Sequence, residues 1–461
     1  MTVDAAIIGG GISGLACAWD LKRRGRRVVV LERQADPGGS ACSERLGGGF
    51  LMEHGPSTVN AGSDIANDFS GMLGLNGERC NLGGGVRRRY LVGGGVLRGL
   101  SVSSMGFFLS GYMSLRGKLR LLGEFAVPAA ADGKEETVAE FCVRRFGPEF
   151  LERIIDPMVA GIYAGRADEL SVSAVFPKLV ELEQKYGAVS RGLLRRHKRG
   201  VRMPSSRLFS WQDGIASLPR ALAADLGEAV RAGITVRGLQ AVSGGFKVDA
   251  GPAGAFAARS VIIATQPHVA ARLLEGVDND AACAAGEIDA PPLAVAFFGF
   301  ERRQVDHPLD GLGFLTSRKE GRSLSGAQFC STMFPGRAPE GHVGVAGYLG
   351  GARSPELARL PREELLDLAL EDFRKLIGVK GEPVVAQVRH WPLGLPQYRI
   401  GHQERTTCLK NAGQRRPGLF VTGNYFHGPS VASCLAMSRE TASGVHGFLD
   451  EIRPADRSAV L

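Results

Sequence analysis

Three glycines near the N-terminus, Gly9, Gly11 and Gly14, follow the predicted buried strand Asp4–Ile8 with the spacing of a phosphate-binding turn. The first permits the tight reversal, the second lets a pyrophosphate approach the backbone, and the third lets helix and strand pack closely. Ile12 and Ser13 open the predicted helix Ile12–Arg24, whose free N–H groups and dipole favour an anion. Glu32 stands 18 residues after Gly14, at the end of a second predicted strand, Arg27–Leu31, and is followed by Arg33. A carboxylate there accepts hydrogen bonds from an adenosine ribose and repels a 2′-phosphate, which selects FAD or NAD over NADP. Pro37-Gly38-Gly39-Ser40 and Glu53-His54-Gly55-Pro56 come next and offer a second bare-backbone approach to one extended cofactor, which favours FAD. The glycines alone could be an ordinary turn; the two strands, the spacing and the acid argue for the dinucleotide.

The elements that must hold these residues form a βαβ unit at the N-terminus. Helical signals dominate from about Val92 to Arg207: Thr137 with Glu140 reads as a capping box, and Gly147-Pro148 closes one helix and opens the next. Strand patterns return at Ile234–Arg237, Phe246–Asp249, Val261–Ala264, Leu293–Phe300, Val343–Tyr348 and Val384–Arg389. A last strand, Leu419–Val421, runs into Gly423-Asn424 and a closing helix from about Val431. The chain of 461 residues has room for two or three packed units. The expected fold class is α/β, α+β overall. A Rossmann-like FAD-binding domain would comprise 1–80, 206–272 and 386–461. A mixed-sheet substrate domain would comprise 81–98 and 273–385, and 99–205 would be a mostly helical insertion.

Composition narrows the partners. The net charge of +9 suits an acidic ligand or an anionic surface. The run Arg195-Arg196-His197-Lys198-Arg199 has no interleaved aromatic residues, so it reads as a solvated loop and nucleic acid is not expected. None of the eight Cys shares a CxxC spacing, which predicts reduced thiols and no metal site. Gly99–Leu115 is uncharged up to its end but too short and polar to span a bilayer. No basic leader precedes the glycine turn, so a cytoplasmic protein is expected. Met105, Phe107, Phe108, Leu109, Tyr112 and Met113 crowd one segment that suits core packing, a substrate tunnel or peripheral membrane contact.

The glycine doublet after Glu32 and the segment Pro417–Asn424 resemble the flavin amine-oxidase superfamily. Within it, Asp156-Pro157-Met158-Val159-Ala160-Gly161-Ile162-Tyr163-Ala164-Gly165, then Trp391-Pro392-Leu393-Gly394-Leu395-Pro396-Gln397-Tyr398 with Gly401-His402, resemble the protoporphyrinogen oxidase family. So do Arg89-Tyr90, Glu136-Thr137-Val138, Gly214–Leu218 and Pro417–Gly428. The resemblance implies an FAD-dependent oxidase that takes six electrons from a porphyrinogen, protoporphyrinogen or coproporphyrinogen, with oxygen or another acceptor reoxidising the flavin. It implies flavin-centred chemistry with no catalytic side chain, the protein positioning the cofactor. It assigns substrate placement to Gly161, Ile162 and Tyr163 and a substrate propionate to Arg89, whose fork suits a carboxylate. Arg89 alone reads equally as part of the charge run Arg87-Arg88-Arg89. Val236, Ala264, Trp391, Gly423, Asn424 and Val431 complete the expected cofactor contacts. The chain departs from the family at Ser433, where relatives carry an acid before the Cys, and at Gly99-Leu100-Ser101, where they carry a Pro. A divergent amine oxidase or carotenoid-type desaturase is the alternative, although Tyr425 is the one obvious candidate for the aromatic cage of an amine oxidase. A non-catalytic cofactor-binding protein is a third reading.

Overall fold

The computed structural model describes residues 2–100, 111–130, 134–198 and 208–452. Strand β1 (Thr2–Ile8), helix α1 (Ile12–Arg23) and strand β2 (Val28–Leu31) form the N-terminal unit, with β1 and β2 parallel. The end of β1 from Ala5 to Ile8 is a continuous apolar run because both its faces are covered. Ala5 and Ile7 pack under α1 and the closing helix Val431–Glu451, while Ala6 and Ile8 pack under Pro267–Leu274 and Asn279–Gly286. β1 also pairs in parallel with Ala255–Ile263, which pairs on with Leu419–Val421. Val230–Arg231, Gly238–Val242 and Gly245–Asp249 bring this first sheet to seven strands among the described residues.

The second sheet, also of seven strands among the described residues, runs in the order 385–391, 293–301, 342–350, 326–328, 311–315, 88–93, 96–100. Alternation divides its faces. Ala294, Ala296, Phe298 and Phe300 pack with Val343 and Val345 against helix Arg362–Ile377. Val295, Phe297 and Ala346 point the other way, toward the first unit. Between the sheets in sequence stands the helical unit. Its capping box forms as expected, Thr137 and Glu140 bonding reciprocally, and Gly147 at φ 92° ends that helix before Pro148 opens the next.

Two expectations are corrected. Ile234–Arg237 is not a strand: the Ile234 N–H donates to the Glu32 carbonyl at 2.8 Å, folding the segment onto the acid's turn instead of into the ladder. Val385–Trp391 pairs antiparallel with Leu293–Glu301, so the second unit extends through Trp391 and does not end at 385; likewise Gly99 and Leu100 belong to its edge strand. Tyr112 and Met113 are buried, the Tyr112 hydroxyl donating to the carbonyls of Val92 and Arg153. Met105, Phe107, Phe108 and Leu109 lie outside the described residues, as do Arg199 and the side chains of Arg196, His197 and Lys198. Among the described residues no helix is long and apolar enough to cross a membrane.

Candidate active site

A cavity of about 650 Å³ runs from the glycine turn to the second sheet. At the turn, Gly9 takes φ 107°, and a Cβ on Gly14 would lie 1.9 Å from the Gly9 carbonyl oxygen, so Gly14 is bare for packing. Gly11 is different. A Cβ there would meet no protein atom closer than 3.9 Å, so its bareness leaves space open to the cavity, as a pyrophosphate needs. Gly38 bonds back to the Gly10 carbonyl at 2.8 Å, which brings the second glycine pair beside the first. Glu32 is oriented by its neighbours: Gly10 N–H donates to Oε2 at 2.6 Å and Gln34 N–H to Oε1 at 2.8 Å. A Cβ on Gly10 would come within 2.9 Å of the Glu32 side chain, so this glycine, a free position in the motif, is set by the acid. These features fit a dinucleotide with its ribose at Glu32 and its phosphates over Gly11.

The far end is built by three elements. Helix Asp156–Tyr163 contributes Gly161, Ile162 and Tyr163, and ends at Ala164 in the left-handed conformation, φ 48°. A Cβ on Gly161 would lie 2.3 Å from Leu315, so the helix touches the second sheet closely at that point. The sheet adds Leu293, Val295, Gln328 and Tyr348. The closing helix presents its N-terminus, capped by Ser430 Oγ, which accepts from Ser433 N–H at 3.1 Å; Val431, Ser433 and Cys434 line the wall. Burial pushes the Cys434 thiol up to about 11 and the Tyr163 phenol up to about 12, and raises Tyr348 further still, so all three stay protonated. Burial lowers His54 although Glu44 bonds its ring at 2.9 Å.

Gly9, Gly11, Ile12, Ser13, Glu32, Arg33, Gly38, Gly39, Ser40, Gly55, Pro56, Val236, Ala264, Trp391, Gly423, Asn424 and Val431 all line this cavity, together with Gly161, Ile162 and Tyr163. Gly14 stands behind it. Arg89 does not line it: the side chain is exposed and makes no ion pair or hydrogen bond among the described residues. Its strand parity puts it with Leu91, whose partner Leu315 meets Gly161, so it occupies the site-facing side near the sheet edge. Arg88 instead pairs with Asp310 at 3.6 Å. Tyr425 is buried in the core and does not line the cavity. Gln328 and Tyr348 were not singled out from sequence. The alternation of Val343–Tyr348 puts Tyr348 opposite Val343 and Val345, but nothing local says what that face meets.

Glu53, read from sequence as part of the cofactor approach, is instead a buried tie between the units. Its Oε1 accepts from Arg337 Nη1 at 2.8 Å and from Ile215 N–H at 3.0 Å, and Ser43 Oγ donates to its Oε2 at 2.5 Å.

The model of the flavin-containing amine oxidoreductases matches residues 12–446. The chain is 31% identical to a chloroplastic protoporphyrinogen oxidase of Oryza sativa subsp. japonica, over 97% of this chain and 89% of that one. It is 27% identical to a coproporphyrinogen III oxidase of Bacillus subtilis (strain 168), covering 96% and 98%. A crystal structure from Exiguobacterium sp. 255-15, described as a candidate protoporphyrinogen oxidase, superposes with a TM-score of 0.83 at 22% identity, covering 98% of this chain and 99% of that one.

Proposed function

The chain belongs to the family of flavin-containing amine oxidoreductases, and from that premise we propose that it is an FAD-dependent oxidase that converts a porphyrinogen, protoporphyrinogen or coproporphyrinogen, to the porphyrin in heme or related tetrapyrrole synthesis. The observation that carries the reading is similarity to protoporphyrinogen oxidases along almost the whole chain, including the segments that wall the cavity's far end. The flavin, when bound, supplies the hydride acceptor. The chain's own residues hold and exclude. Glu32 accepts from the ribose, the turn at Gly11 and the N-terminus of α1 take the phosphates, and the N-terminus of the closing helix faces the other end. Gly161, Ile162 and Tyr163 of the helix, with Val295, Gln328 and Tyr348 of the second sheet, line the end that would receive a flat apolar substrate. Tyr163, Tyr348 and Cys434 keep their protons, so none of the three serves as the base for a pyrrole proton. Tyr425, the candidate read from sequence for an amine-oxidase cage, is buried away from the cavity.

Purified protein offered each porphyrinogen, with and without oxygen, should bleach its yellow colour anaerobically and develop porphyrin fluorescence in air. Peroxide formed in step with porphyrin would identify oxygen as the acceptor. No bleaching with either porphyrinogen would overturn the reading. Peripheral membrane contact is part of it, through Leu115, Leu119, Leu122 and Phe125, each more than half exposed along one turn-and-helix segment beside Arg116 and Arg120. Leu119→Glu should abolish co-sedimentation with anionic vesicles; wild-type protein staying in the supernatant would remove this element.

A further inference from the structure

Residues 391–402 carry four side-chain bonds that converge on the two sides of the cavity. Trp391 Nε1 donates to the His54 carbonyl at 2.7 Å. Gln397 Nε2 donates at 3.0 Å to the carbonyl of Tyr163, the last residue of the helix on the substrate side. The Tyr398 hydroxyl donates to the carbonyl of Asn424, and His402 Nε2 lies 2.7 Å from the carbonyl of Tyr425, both in the turn on the cofactor side. The rings continue the link. Tyr163 meets Tyr398 edge-on at 5.5 Å between centroids, and Tyr398 meets His402 at 4.6 Å.

Each member is costly to keep unless the bond matters. Gln397 is 2% exposed and its Oε1 has no partner among the described residues, so its amide is held by its donor half. Gly165 leaves room for it: a Cβ there would lie 2.7 Å from that oxygen. His402 is also 2% exposed, with Nδ1 unpartnered among the described residues. A carbonyl can only accept, so Nε2 carries the proton, and burial lowers the pKa and keeps the ring in this single neutral form.

We propose that Gln397, Tyr398 and His402 are positioning residues that act as one strut, fixing the helix end at Tyr163 relative to the turn at Asn424–Tyr425 so that the substrate wall and the flavin-side wall keep one spacing. The inference rests on the flavin and porphyrinogen reading above for what the two walls hold. Neither Gln397 nor Tyr398 lines the cavity, so neither touches the reactants.

The test uses holoenzyme and three readouts: visible circular dichroism of the bound flavin, flavin release on dilution, and KM with kcat for the porphyrinogen. Gln397→Met removes the donor to Tyr163, together with the bond of the same Nε2 to the Leu395 carbonyl at 3.0 Å, and leaves the cofactor-side bonds in place, yet it should change the flavin dichroism and speed flavin release about fivefold while raising KM about tenfold. Tyr398→Phe keeps the ring and removes only the donor on the cofactor side, yet it should raise KM by a similar factor as well as speed release. His402→Gln, which can still donate to Tyr425, should recover most of what His402→Leu loses. If Gln397→Met does not accumulate as holoenzyme, Gln397→Asn, one methylene short of the Tyr163 carbonyl, takes its place. Gln397 variants that move KM alone and Tyr398→Phe that moves flavin alone would overturn the strut. Should wild-type protein oxidise neither porphyrinogen, the dichroism and release arms still decide the strut, separately from the substrate reading.

Discussion

Glu32 shows how much a single carboxylate can be asked to do. It satisfies two backbone N–H groups, holds Gly10 bare and leaves an edge on the cavity. Glu32→Ala should therefore weaken flavin retention by about 1.5 to 3 kcal/mol, the worth of charge-assisted bonds, and also lower the melting temperature of flavin-free protein by orphaning Gly10 N–H. Flavin titration and melting of the stripped protein check both; unchanged retention would move the ribose elsewhere. Arg89 and Arg88 are adjacent but differently engaged, since Arg88 is spoken for by Asp310. If Arg89 binds a substrate propionate, Arg89→Ala should raise KM roughly ten- to a hundredfold, Arg89→Lys should restore part, and Arg88→Ala should stay near wild type. Equal small effects at both positions would return the triplet to surface charge. The role of Gly14 was legible in the sequence because it is local to one turn, whereas that of Gly10 was not, because it depends on Glu32 folding back 22 residues later.

At the level of elements, the two units are joined by a loop residue of the second sheet reaching into the first. Arg337 Nη1 bonds Glu53, and its Nη2 donates to Ser210 Oγ at 2.9 Å and the Trp211 carbonyl at 3.2 Å. Burial raises the Glu53 pKa, with Arg337 opposing, so the carboxylate depends on that guanidinium to stay charged. Arg337→Met should cost about 3 to 5 kcal/mol by leaving a buried charge uncompensated, and the double change with Glu53→Met should cost less than the single one. Urea unfolding of the holoenzyme measures this; a cost below about 1 kcal/mol for Arg337→Met would mean the pair is not a tie. The strand Val385–Trp391 makes the related point that its pattern was readable from sequence while its sheet was not, since pairing with Leu293–Glu301 is a contact between distant segments.

Over the whole molecule, His54, His268, His307 and His402 all have their pKa lowered from 6.5 by burial first of all. Each binds fewer protons folded than unfolded just below that value, so stability is full above pH 6.5 and falls as pH drops through the lowered folded pKa values. Glu53 and Asp372, raised by burial, bind more protons folded than unfolded, so as pH falls they add stability between their raised folded values and the ordinary carboxylate range, and there they oppose the histidines. Urea midpoints should decline as pH falls below the imidazole value of 6.5, and His307→Gln, far from the cavity in the second unit, should flatten the decline. A flat profile in wild-type protein would contradict the burial of these rings.

The glycine turn, the ribose acid and the βαβ unit around them could be read from the chain alone, because each depends on neighbours within about one supersecondary motif. So could the motifs Asp156–Gly165 and Trp391–Tyr398 as signatures. What they do could not be read, because their partners lie far along the chain: Leu315 against Gly161, Tyr163 against Gln397, Asn424 against Tyr398. Only the packing of the two sheets and the helical unit brings those segments together, and with them Gln328 and Tyr348, residues whose types carry no signal until the rest of the cavity lining is in place.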